Sequence, residues 1–193
     1  MKVLLSLILV AACGGPDATA TDANGPDGHG SGSGSGSGSS HALYPLGSGD
    51  RWTYAVTAVG AGSICAAGTH EQHVASANAV GGRPAFQLTS FCSGLSTTYD
   101  YAPGSGDEID FYYQGSWLTL VDPMLVEGHS WPYFNTSYHW QKTTVSGYDD
   151  CWKAVQDVSY TAYLTYCRGV GLVESYSQDL GGNGWDATLT AHS

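Results

Sequence analysis

An all-β or β-dominated fold, an antiparallel curved sheet drawn into a half-barrel or barrel behind a disordered N-terminal tether, is what this sequence predicts. Three observations carry the prediction. Short runs rich in Trp, Tyr, Val and Thr alternate apolar with polar residues, the pattern of a strand that turns one face inward. Turn signals separate these runs at close spacing, at Gly81-Gly82, Pro103-Gly104-Ser105-Gly106, Gly115-Ser116, Gly147 and Gly181-Gly182-Asn183-Gly184. No window shows a helical period with capping residues.

Taken in order, the first run is Arg51–Val59, where Trp52, Tyr54, Val56 and Ala58 alternate with Thr53, Ala55 and Thr57. The same texture predicts strands over 69–75, 85–92, 96–102, Ile109–Tyr113, 117–121, 137–145, 151–158, 160–167, 171–177 and 186–191. Many short strands with glycine turns between them point to a barrel, half-barrel or sandwich. One pattern occurs twice: Leu-x-x-Gly-x-x-Trp-x-Tyr begins at Leu46 and again, 79 residues later, at Leu125. In each copy a glycine lets the chain turn before a strand that sets Trp and Tyr on one face. The residues after Tyr54 and Tyr133 do not align, which favours convergence on a useful strand start over duplication of a half-domain.

The first 41 residues are of a different kind. Lys2 precedes an apolar run from Val3 to Val10, and Val10-Ala11-Ala12 leads with small residues into Cys13. The run is too short to span a bilayer, which takes about 20 residues, and it has the parts of an export signal. It resembles a bacterial lipobox, and the resemblance implies cleavage before Cys13 with lipidation of that residue. Several acyl chains on one residue hold a protein stably at a membrane, whereas one chain binds only marginally. Residues 14–41 are nearly all Gly, Ser, Ala, Asp and Thr, with strict Gly-Ser alternation from Gly30 to Gly38. Such a segment cannot bury enough apolar surface to offset the entropy of ordering it. As a flexible coil its reach is roughly 29 Å. The chain therefore divides into a signal peptide over 1–12, a lipidated cysteine and linker over 13–41, and one β-rich extracytoplasmic domain over 42–193.

Charge excludes one class of partner. The domain has 14 Asp and Glu against Arg51, Arg83, Lys142, Lys153 and Arg168, so a nucleic acid finds nothing to replace its counterions. Besides Cys13 there are four cysteines, Cys65, Cys92, Cys151 and Cys167. In an oxidising compartment their even number predicts two disulfides, for which three pairings exist. A hairpin centred on Ser159 sets Cys151 opposite Cys167, Trp152 opposite Tyr166 and Ala154 opposite Leu164, close enough for a bridge. The remaining pair, Cys65 with Cys92, requires Cys65 to lie in the loop 60–68.

Tyr44-Pro45-Leu46-x-x-Gly49-x-x-Trp52-x-Tyr54, Gly128-His129-Ser130-Trp131 and Cys167-Arg168-Gly169-Val170-Gly171-Leu172-Val173-Glu174-Ser175-Tyr176 together resemble a broad group of exported bacterial lipoproteins without an agreed activity. The resemblance implies a curved antiparallel sheet like that of periplasmic lipoprotein carriers, and no catalytic residue comes with it. Gly14 after Cys13 lacks the aspartate that retains some lipoproteins at the inner membrane, so the outer membrane is the expected location.

Candidate chemistry is sparse. His70-Glu71-Gln72-His73 is one residue short of a zincin motif, and in a strand its histidines fall on opposite faces. Acidic clusters at Asp107-Glu108-x-Asp110, Asp149-Asp150, and Asp179 with Asn183 and Asp186 could offer oxygens to calcium, the last being the best of the three, but none has EF-hand spacing. Local turn chemistry attracts Asp and Asn to such loops anyway. No nucleophile elbow, phosphate loop or dinucleotide fingerprint occurs, which leaves a hydrolase only a scattered active site. The aromatic residues Trp131, Tyr133, Phe134, Tyr138 and Trp140 crowd into ten positions, and the chain has 13 Tyr against four Phe. Rings with a polar edge suit a half-wet binding face, and Trp131, Tyr133, Tyr138 and Trp140 are its candidates; they suit the packed rim of a β core equally well. The expectation is a lipid-anchored envelope protein with a non-catalytic binding or structural domain and no cofactor. A carrier or sensor of a lipid, glycan or peptide on a concave sheet is the alternative, and a hydrolase the third.

Overall fold

The computed structural model of the chain describes residues 41–92 and 98–193. Cys13 and the residues 14–40 of the linker lie outside the described residues. Twelve antiparallel strands make a single sheet, and no helix occurs among the described residues. In chain order they are β1 (Arg51–Val59), β2 (Gly68–Val80), β3 (Arg83–Thr89), β4 (Thr98–Pro103), β5 (Ile109–Tyr113), β6 (Ser116–Val121), β7 (Ser130–Tyr133), β8 (Thr136–Val145), β9 (Tyr148–Gln156), β10 (Thr161–Cys167), β11 (Gly171–Gln178) and β12 (Gly184–His192).

Every strand pairs with its neighbours in sequence except at β6 and β7, and β1 also pairs with β12, so two six-stranded meanders, β1–β6 and β7–β12, join into one nearly closed up-and-down barrel. The seam falls between β6 and β7. There β7 is only four residues long and contains Pro132, which has no N–H to give a ladder. Five of the ladders carry a register shift, at Thr53/Tyr54, Val74/Ser76, Ile109/Asp110, Thr143/Val145 and Thr165/Tyr166. Bulges of this kind bend a sheet and let it curl.

Both copies of the repeated pattern lead into the first strand of a meander. Gly49 has φ +94° and Gly128 φ +77°, the left-handed turn that glycine permits. Beyond them Trp52 and Tyr54 on β1, and Trp131 and Tyr133 on β7, all turn inward and are buried.

The disulfides are Cys65–Cys92 and Cys151–Cys167. On β9 and β10, Cys151 faces Cys167, Trp152 faces Tyr166 and Ala154 faces Leu164, the pairing expected of a hairpin centred on Ser159. Cys65 lies in the loop between β1 and β2. Cys92 is not in a strand: β3 stops at Thr89, three residues earlier than the alternation suggested, so the bridge ties loop to loop. β7 is absent from the eleven predicted runs, and only the repeated pattern placed Trp131 and Tyr133 at a strand start; the other differences are at strand ends, with β2 running on to Val80 and β9 beginning at Tyr148.

One end of the barrel is plugged by the segment that precedes β1. Leu43, Tyr44 and Leu46 are buried there, and the Tyr44 ring packs against Trp52 and Tyr166 at 5.5 and 5.6 Å while its hydroxyl donates to Gln72 Oε1 at 3.2 Å. Gly171, at φ +96°, is what lets that ring in, because a Cβ would stand 2.4 Å from Tyr44 Cδ2. Arg168 pins the plug from the β10–β11 turn. Its guanidinium donates to both carboxylate oxygens of Asp107 at 2.9 and 3.0 Å, to Asp150 Oδ2 at 2.7 Å and to the His41 carbonyl at 2.6 Å. Asp107 Oδ1 in turn accepts the Leu43 N–H at 2.8 Å.

Lys142 Nζ, then Arg168, holds the Asp150 carboxyl down at about 2. A carboxyl whose folded pKa lies below its unfolded value stabilises the fold above about pH 4 and loses that contribution as pH falls toward 2. Because Asp150 is 37 % exposed, screening limits the effect to about 1 kcal/mol or less. Carboxyl titration by NMR is expected to find Asp150 near 2 in the native chain and closer to the ordinary aspartate range in Arg168→Ala. An Asp150 that titrates normally in the native chain would contradict the ion-paired geometry.

Candidate functional site

Alternation along the strands sends one set of side chains into the barrel, and most of the large ones are aromatic. Their rings touch in an unbroken belt. It runs from Trp52 through Tyr44 to Tyr166, then to Trp140 at 6.4 Å, Trp131 at 4.6 Å and Tyr138 at 5.6 Å. From Tyr138 it continues to Tyr133 at 5.0 Å, Phe134 at 4.8 Å, Tyr113 at 5.2 Å, Phe111 at 6.0 Å and Tyr101 at 5.6 Å. The contact of Phe134 with Tyr113 bridges the β6–β7 seam, where ladder bonds are missing. A barrel of eight strands is just wide enough for side chains to fill, so twelve strands demand bulky rings.

Trp131, Tyr133, Tyr138 and Trp140, the candidates for a half-wet binding face, are all buried, with 3, 3, 3 and 0 % of their surface exposed. An outward binding face is therefore not what they make. Trp140 is packed on all sides and donates its indole N–H to the Asp122 carbonyl at 3.2 Å. Tyr133 and Tyr138 lie within electrostatic reach of Tyr101 on β4 and Tyr166 on β10. Burial first, and then the neighbouring phenols, raise all four above the ordinary tyrosine range, and each of the four lies close enough to influence the others. These hydroxyls stay protonated.

Tyr101 and Tyr166 escaped the sequence reading. The signal that could have found them is the excess of Tyr over Phe: positions that need only bulk accept Phe, so hydroxyls at inward positions ask for a reason.

The metal candidates are not gathered. No group of three or more His, Cys, Asp and Glu suited to a metal occurs among the described residues. Asp179 Oδ1 accepts the N–H groups of Gly181 and Asn183 at 2.8 and 2.9 Å, and Asn183 Oδ1 accepts that of Gly62 at 2.8 Å. Asp186 stands on β12 opposite Thr57 and Tyr176. Asp179 thus spends an oxygen on its own turn, as Asp commonly does, and Asn183 spends its own on the β1–β2 loop. In the 70–73 stretch, His73 Nδ1 lies 3.0 Å from Glu71 Oε1, which also pairs with Arg51 at 2.7 Å, while His70 Nε2 sits 2.9 Å from the Ala66 carbonyl.

Ser137, His139 and Asp157 do come together, in the wrong order for a nucleophile and its base. The Ser137 hydroxyl donates to Asp157 Oδ2 at 2.6 Å rather than facing the imidazole, and His139 Nε2 is 3.1 Å from Gln141 Nε2. Ser137, followed by His139, holds the Asp157 carboxyl below its usual range. A triad needs the histidine between the other two.

Fold and interior together define a class: a disulfide-tied, up-and-down antiparallel barrel, plugged at one end and lined with aromatic rings. No family model matches the chain, and no curated protein and no solved structure matches it either.

Proposed function

We propose that this is a lipid-anchored protein of a bacterial cell envelope whose barrel is a non-catalytic binding module, taking its ligand inside the sheet. The lipobox resemblance at Cys13, the linker composition and the two disulfides support export and anchoring, with the outer membrane as the location. The observation that carries the binding reading is the interior itself, whose buried lining carries tyrosine hydroxyls where plain hydrocarbon would pack. A carrier or sensor works in this way, enclosing an apolar molecule and orienting it with a few polar groups. The similarity to exported lipoproteins with a carrier-like sheet agrees with this use.

Two measurements test the two halves. Cys13→Ser is expected to move the protein from the membrane fraction to the soluble fraction; a variant that stays with the membranes overturns the anchor. Native mass spectrometry of that variant, exported and oxidised, is expected to show a reproducible adduct in addition to the loss of four hydrogens from two disulfides.

A further inference from the structure

We propose that the hydroxyls of Tyr101, Tyr133, Tyr138 and Tyr166 form the polar contacts of a site inside the barrel for an uncharged, largely apolar molecule that carries carbonyl or ether oxygens. This rests on the interior-binding reading and names its ligand class.

The first argument is that these hydroxyls have nothing to bond. Tyr133, Tyr138 and Tyr166 keep only 3, 3 and 1 % of their surface, yet none makes a hydrogen bond to a protein group. Buried polar groups normally find partners, so each exception calls for a reason. Nor are the three oxygens sealed off. The sealed polar atoms without partners, among the described residues, are Asp100 Oδ1, Trp117 Nε1 and Trp131 Nε1. Each of the three phenol oxygens therefore keeps some accessible surface through which a further group can reach it.

The repeated sequence pattern supplies a control within the same chain. In the first copy Trp52 Nε1 donates to the Val170 carbonyl at 2.7 Å and the Tyr54 hydroxyl to the Leu172 carbonyl at 2.9 Å. In the second copy Trp131 and Tyr133 occupy the matching positions, and neither has a partner. The same local pattern is thus satisfied by the fold in one half and left open in the other.

Charge and donor count define the ligand. The buried charged side chain among the described residues is Asp110, which lies on the opposite face from Ile109 and Phe111 and pairs with Arg83 at 2.5 Å. An ion inside would lose its hydration with no counter-charge to replace it. A sugar would bring many hydroxyls, each needing partners, to a lining that offers chiefly phenols. Gln72, the buried amide, is already engaged by Tyr44. Protonated phenols set among rings suit a flat or flexible apolar body with a few acceptor oxygens.

The test uses the full chain carrying Cys13→Ser, oxidised, and follows binding by calorimetry and tryptophan quenching. The probes are 9-fluorenone, fluorene, which has the same shape without the oxygen, and the anion fluorenone-4-carboxylate. Fluorenone is expected to bind at least about tenfold tighter than either of the others. In the combined variant Tyr133→Phe, Tyr138→Phe, Tyr166→Phe that preference is expected to vanish while fluorene binding stays unchanged. Equal affinity for fluorene and fluorenone overturns the proposal, as does a preference that survives the three changes. If the combined variant does not fold, the single variants decide: a loss of about three- to tenfold for fluorenone in at least one supports the site, and no loss in any overturns it. If no probe binds but native mass spectrometry finds an adduct, the ligand class is wrong and the binding reading stands. If neither is found, both fail.

Discussion

Reducing both disulfides is expected to cost the barrel about 6.5 kcal/mol, with the loss divided almost evenly between them. Cys65–Cys92 spans 27 residues and Cys151–Cys167 spans 16, and loop-closure entropy assigns about 3.5 and about 3 kcal/mol to bridges of those lengths. Domains of this kind are stable by roughly 5–15 kcal/mol in total, so the reduced chain sits close to unfolding at physiological temperature. The two bridges are far enough apart to act independently. Cys151–Cys167 joins directly opposed residues of β9 and β10, whereas Cys65–Cys92 ties the β1–β2 loop to the residues after β3. Urea unfolding of Cys65→Ala/Cys92→Ala, of Cys151→Ala/Cys167→Ala and of the chain lacking both is expected to give losses that add. Unmoved midpoints would mean that the bridges constrain nothing the unfolded chain is free to do.

Trp140→Ala is expected to destabilise the fold by about 3–5 kcal/mol, the range for removing a fully buried tryptophan. Trp140 has no exposed surface, packs against Trp131, Trp152 and Tyr166, and holds the Asp122 carbonyl beside the seam. Its loss leaves a cavity in the ring belt and frees a carbonyl in the segment that connects β6 to β7. Leu180→Ser is the contrast: this leucine is 78 % exposed and its replacement is expected to change stability by less than about 0.5 kcal/mol. Paired unfolding curves, with near-UV circular dichroism to follow the coupled rings, check both. A Trp140→Ala chain as stable as the native one would show that the belt is not packed as described.

Much of the local structure was legible in the sequence. Trp52, Tyr54 and Val56 alternate because a strand with one face buried must alternate, and β1 begins and ends where that pattern does. The Cys151–Cys167 bridge followed from the same geometry, since a hairpin with a known centre has only one register. The limits are equally local. Across the Gly81-Gly82 turn the simple register holds from Val80 opposite Arg83 to Ser76 opposite Gln87, after which a bulge shifts it by one at Val74 and Leu88. A bulge answers to the curvature of the whole sheet, which no short window contains. The Asp179 loop looked like a calcium site because oxygen-rich turns and oxygen-rich metal loops have the same composition; only coordinates reveal which oxygens are already engaged.

By itself, then, the sequence determined eleven of the twelve strands, the turns between them, the β9–β10 bridge and the acidic character that disfavours nucleic acid. These depend on periods and spacings within a few residues. Tertiary structure alone decided that β1 pairs with β12, that residues 43–46 plug one end, and that Trp131, Tyr133, Tyr138 and Trp140 are buried in the interior of the nearly closed barrel rather than turned outward to solvent. The physical reason is that alternation specifies two faces without saying which is inside. That choice is made only when distant strands pair and one face of the sheet becomes the lining of a barrel.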